Sequence, residues 1–111
     1  MGAPQQETAK AIQWIDENEK LLTEMSDRIW LYAEPPLQEY RASKLLAEEL
    51  KKAGFSVQLG VAGLDTAFVA TYGHGSPVLS TFAEYDAVEG CSQMPVPYKN
   101  PVIVGKGMLN F

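Results

Sequence analysis

Gly54 divides this chain into two periodicities, and that change constrains the fold more than any other feature. Before it, apolar residues recur at steps of three, four and seven; just after it they alternate. Steps of three and four line one face of a helix, whereas a step of two lines one face of a strand. The first pattern predicts a helix over 7–32, with Ala11, Ile15, Leu22, Met25, Ile29 and Tyr32 on its apolar stripe. Pro35 and Pro36 end it, because the residue before a proline avoids helical angles and proline has no amide donor. Proline is well placed in a first turn, so a second helix is predicted over 36–52. Its stripe is Leu46, Leu50 and Ala53, with Ala42 and Leu45 beside it, and Gly54 is its C-cap.

Beyond Gly54, Phe55, Val57 and Leu59 alternate with Ser56 and Gln58, as a half-buried strand does. Residues 60–63 form a turn, 66–72 are rich in strand formers, and 73–77 are a compact turn. Val78 to Tyr85 reads as a further strand, and the short turn before it predicts that the last two strands pair as an antiparallel hairpin. From Glu89 the texture changes: Pro95, Pro97 and Pro101 punctuate the chain, and Val102 to Val104 offers one more short strand. The fold class predicted is α/β, or α+β over these residues alone: two N-terminal helices, then a small mixed sheet with a hairpin. At 111 residues the chain has room for one core, taken as a single partial domain over 1–111 with loose ends at 1–6 and 105–111.

Composition removes several function classes. Nine basic residues against fourteen acidic ones leave a net charge of −5, which a duplex or an anionic membrane would repel. Nucleic acid and membrane are therefore not expected as partners. Cys91 is the single cysteine, so no internal disulfide can form. The first ten residues are polar, and no run approaches the roughly 18 apolar residues of a membrane span, so a cytoplasmic location is expected.

The chemistry-bearing residues are few. Glu84 and Asp86 lie two apart at the end of an apolar run, where a strand would point both carboxylates to one face. That arrangement suits metal ligation or acid–base work; two solvated acids at the start of a loop would look the same. His74, between glycines in a tight turn, reads as exposed and idle. Cys91 reads as a bare thiol, since a catalytic cysteine needs a histidine base and His74 belongs to another turn. A zinc site takes three or four ligands, and with one His and one Cys most would have to be carboxylates.

Four stretches in order resemble the M20 amidohydrolases. Leu31-Tyr32-Ala33-Glu34-Pro35-Pro36-Leu37-Gln38-Glu39-Tyr40 resembles the break between that family's first two helices. The run 45–57, ending Lys52-Ala53-Gly54-Phe55-Ser56-Val57, is similar to the helix and strand that follow. Residues 60–70 resemble the next strand. Phe82-Ala83-Glu84-Tyr85-Asp86-Ala87-Val88, with Gly90-Cys91-Ser92-Gln93, is similar to the aminobenzoyl-glutamate hydrolase branch.

The resemblance implies a zinc-peptidase-like catalytic domain and hydrolysis of an amide bond in an N-acyl amino acid or small peptide. It implies two divalent metals, zinc or manganese, that polarise the carbonyl and activate water. Asp86 matches the family's aspartate, which orients a ligand beneath the metals. Glu84 stands where many members have a histidine ligand, and a metal role for it rests on that position alone. Pro36 occupies the place of the family's helix-break glutamate, so no role passes to Glu34. The next ligand motif of the family would fall a few residues beyond Gly105, where this sequence reads Lys106-Gly107-Met108-Leu109-Asn110-Phe111. Most metal ligands are therefore expected outside these residues. The chain is expected to be an N-terminal piece, inactive alone, that forms a homo-oligomer or joins a completing chain. A split-hydrolase subunit, or a non-catalytic binding module on the same scaffold, are the alternatives.

Overall fold

The computed structural model describes residues 3–88, 91 and 93–100, and it divides into two compact units, 1–31 and 32–111. The element order is α1 (Ala3–Glu17), α2 (Glu19–Tyr32), α3 (Tyr40–Lys52), β1 (Ser56–Leu59), a single 3-10 turn (Val61–Gly63) and β2 (Phe68–Thr71). Helices followed by a small antiparallel sheet bear out the fold class.

In the first unit, the single helix predicted over 7–32 is interrupted at Asn18 and begins earlier, at Ala3. A proline at position 4 is compatible with that start, since a first turn has no use for its amide. The cause of the break is local. Asn18 bonds the Trp14 carbonyl with its side-chain amide at 2.8 Å as well as with its backbone N–H at 3.0 Å. Such side-chain bonds compete with the regular helical ladder. The ladder resumes at once, with Leu22 N–H donating to the Asn18 carbonyl at 3.0 Å. The predicted stripe does not form a buried face: Ala11, Ile15 and Leu22 are exposed, and Met25, Ile29 and Tyr32 are only half-buried.

In the second unit, the predicted second helix starts at Tyr40 rather than Pro36. Residues 35–38 make a turn instead, closed by Gln38 N–H on the Pro35 carbonyl at 3.0 Å. Leu37 sits at φ 66°, in the left-handed region that the third residue of such a turn requires and that a β-carbon disfavours. The end of α3 is as predicted. Gly54 lies at φ 89°, its N–H reaches the Lys51 carbonyl, and the Phe55 N–H reaches that of Leu50, both at 3.0 Å. These are the paired bonds of a Schellman cap, and Lys51 and Lys52 in the last turn complement the helix dipole. Alanine at position 54 would meet only ordinary contact, 3.5 Å from the Tyr72 ring. The cost of Gly54→Ala is therefore conformational, about 1–2 kcal/mol, and the expected result is a lower melting temperature with unchanged secondary structure by circular dichroism.

Two strands form one hairpin, paired antiparallel with Val57 opposite Ala70 and Leu59 opposite Phe68. Helix α3 packs on both strands. The core between them is small: Ala42, Leu45 and Ala47, joined by the buried polar groups Glu34, Glu39, Ser43 and Thr66. Leu46 and Leu50 are only half-buried and Ala53 is exposed, so the buried face lies to one side of the predicted stripe. Phe55 and Tyr72 close the end of the hairpin with ring centroids 5.1 Å apart.

The predicted pairing of the last two strands is not what forms. The hairpin joins the first two, β1 and β2, and residues 78–85 take no strand structure. Strand structure needs a partner ladder, and among the described residues none lies beside this run. Its apolar side chains ahead of Tyr85 are bare: Val78 is 83% exposed, Leu79 90% and Phe82 88%. Further on, Gln93 organises the proline-rich stretch, donating to the carbonyls of Met94 and Tyr98 and accepting from Asn100 N–H at 2.9 Å. The short strand predicted at 102–104 lies outside the described residues, as do 105–111.

Candidate functional site

Two acids that bracket the Pro35-Pro36 turn are the only described carboxylates that the fold buries, with Glu34 8% and Glu39 9% exposed. The first turn of a helix leaves N–H groups without partners, and a side-chain oxygen usually supplies them. Here the residue just before α3, Glu39, makes no such bond. Glu34 does so from five residues further back: its carboxylate accepts the backbone N–H groups of Arg41 at 2.9 Å and Ala42 at 2.9 Å. It also accepts the Arg41 Nε–H at 3.0 Å. The Arg41 guanidinium is held in turn by the Tyr32 carbonyl at 2.8 Å and lies over the Tyr32 ring.

Glu39 turns its carboxylate inward. It accepts the Leu37 N–H at 2.9 Å, which helps hold that strained residue, and the Thr66 hydroxyl at 2.7 Å. Burial pushes both carboxyls up, but the hydrogen bonds prevail and hold each below the usual carboxylate value. For Glu34 these come from Ala42 and Arg41, and for Glu39 from Thr66, its own N–H and Leu37. Bonds to the charged form favour that form.

From Thr66 the network reaches the acidic loop. The Tyr85 hydroxyl donates to the Thr66 carbonyl at 2.5 Å, and the Tyr85 ring stacks on Phe68, centroids 6.0 Å apart. Burial, and then the Glu39 charge, raise the Tyr85 phenol above its ordinary value, which keeps it a donor. One residue past Asp86, the Ala87 N–H donates to the Glu34 carbonyl at 2.7 Å.

The residues named from sequence are thus placed as follows. Asp86 is exposed, on a loop pinned by the residue on each side; Glu84 is exposed nearby. His74 and Cys91 are exposed. Among the described residues no three His, Cys, Asp or Glu side chains come together as a metal cradle, so these residues do not by themselves fit a two-metal site. Sequence reading passed over Glu34, Glu39, Thr66 and Tyr85. The available signal was the pair of acids flanking a Pro-Pro turn just before a helix, a setting where a carboxylate is worth testing as a cap.

Over 79 residues, 71% of its length, the chain is 37% identical to one of the subunits of p-aminobenzoyl-glutamate hydrolase from Escherichia coli strain K12. That likeness bears out the M20 resemblance, in its aminobenzoyl-glutamate hydrolase branch. The chain spans 16% of the length of that relative. No family model and no solved structure matches it. No helix among the described residues is long and apolar enough to cross a membrane.

Proposed function

We propose that this chain is the opening segment of an aminobenzoyl-glutamate hydrolase-like, metal-dependent amidohydrolase, and that Asp86 is the residue it contributes to the reaction site. The identity to the Escherichia coli hydrolase carries this reading. The fastening of the loop on both sides of Asp86 supports it, because a functional carboxylate must be held to within about 0.5 Å. The substrate class is an N-acyl amino acid or small peptide, and the reaction is hydrolysis of its amide bond. Zinc or manganese is the metal expected, with most ligands supplied from outside the described residues. The relative is one subunit of its enzyme, which favours association with another chain. Glu84 is given a minor part, because it is a glutamate at the position where many members of the family have a histidine ligand.

The test is a chimera in which this chain replaces the matching stretch of the Escherichia coli protein. The expected result is release of p-aminobenzoate from p-aminobenzoyl-glutamate, with Asp86→Asn lowering kcat/KM about 10–100-fold, the range for residues that orient metal ligands. A folded chimera whose activity Asp86→Asn leaves untouched would overturn the role of Asp86. The chain alone is expected to release nothing with either metal, and metal-dependent release lost in Asp86→Asn would refute that.

A further inference from the structure

Asp86 has no packing of its own to hold it. Its side chain is exposed and its segment is not part of a sheet, so any fixed geometry must come from its neighbours. We propose that Glu39, Thr66 and Tyr85 are positioning residues for Asp86, acting as a clasp on the residue before it. The proposal rests on the reading of Asp86 as the site carboxylate.

The clasp is a continuous chain of bonds. Helix α3 and its approach turn fix Glu39. The Glu39 carboxylate fixes Thr66 through its hydroxyl, at 2.7 Å. Thr66 is 4% exposed, so this bond is shielded from water. The Thr66 carbonyl then takes the Tyr85 hydroxyl at 2.5 Å, and Phe68 limits the swing of the ring. On the other flank, Ala87 is tied to the Glu34 carbonyl, and the Glu34 carboxylate is itself bound to the start of α3. Both ends of the Asp86 backbone thus refer back to one helix terminus. The hydroxyls of Tyr85 and Thr66 give this loop a fixed reference that no isolated acid-rich loop would have.

Hydrogen exchange at the Ala87 amide in the full chain reads the clasp directly. Tyr85→Phe keeps the ring stack and the Glu39–Thr66 bond but removes the hydroxyl. It is expected to speed exchange at Ala87 about tenfold, as loss of one hydrogen bond implies, with α3 amides unchanged. Thr66→Val should do the same, and Thr66→Ser, which restores the hydroxyl, should return exchange to the starting rate. Unchanged exchange at Ala87 in Tyr85→Phe overturns the proposal. So does Thr66→Ser behaving like Thr66→Val, and so does equal loss of protection along α3 in Tyr85→Phe, which would make the role merely structural. Asp86→Asn should leave this protection intact, so failure of Asp86 in the hydrolysis assay and failure of the clasp are separate results.

Discussion

At micromolar concentration the chain is expected to sediment above the 12.2 kDa of one copy. The cause is the run after the hairpin, where Val78, Leu79 and Phe82 are 83%, 90% and 88% exposed. Fully burying side chains of this size is worth about 1.5–3 kcal/mol each, so the six contributed by two copies would gain roughly 9–18 kcal/mol. Association costs about 4–15 kcal/mol in lost freedom, which offsets most of this gain and leaves a weak affinity. Among the described residues no strand pairs with this segment, which lets it pair edge to edge with a strand of another chain. Replacing Val78, Leu79 and Phe82 together by serine is expected to return the chain to a monomer without loss of α3 by circular dichroism. A wild-type chain that stays monomeric at these concentrations would refute both the association and its assignment to this run.

The second large effect is expected at Glu34. Glu34→Ala strands the part-buried Arg41 N–H and the buried Ala42 N–H at the start of α3 and leaves the Arg41 guanidinium without its carboxylate. Bonds to a charged group contribute about 1.5–3 kcal/mol each, so the loss is on the order of 3 kcal/mol or more. A unit whose buried apolar core is Ala42, Leu45 and Ala47 has little stability in reserve. The expected result is loss of the cooperative melt, whereas Glu48→Gln, which removes the exposed Lys44–Glu48 pair, should cost under about 0.5 kcal/mol. Equal effects of the two substitutions would show that Glu34 is not the cap.

The same carboxylates set the pH dependence. Glu34 and Glu39 both have folded-state values lowered from 4.5. A depressed value means that the charged form is preferred in the folded state, so their stabilisation is fully present above the unfolded value. It is lost as the pH falls through 4.5 toward the lower folded values. Melting temperature should therefore hold level from neutral pH to about 5 and then fall, and the fall should shrink in Glu39→Gln. Stability that rose on acidification would contradict this assignment.

The amino-acid order alone determined what depends on neighbours in the chain. Gly54 ends α3 because a left-handed residue is needed to close the last carbonyls, and glycine takes that angle without strain. Alternation after it makes β1, and Pro35-Pro36 separates two helices by removing donors. Each of these follows from φ preference or side-chain period within a few residues. The resemblance to M20 amidohydrolases was legible for the same reason, since short runs in order carry it.

Tertiary structure decided what depends on partners. Residues 78–85 have the composition of a strand but take none of its structure, because a ladder needs a second strand and composition cannot supply one. The hairpin therefore falls one pair earlier than predicted. Asn18 breaks a helix that its stripe would continue, through one competing side-chain bond. Glu34 and Glu39, given no role in the sequence reading, become the buried centre because α3 and Thr66 come to meet them. Asp86 was legible as a residue type at a family position. That its loop is tied at Tyr85 and Ala87 depends on contacts with Thr66 and Glu34, 19 residues from Tyr85 in the first case, and only folding brings those groups within reach.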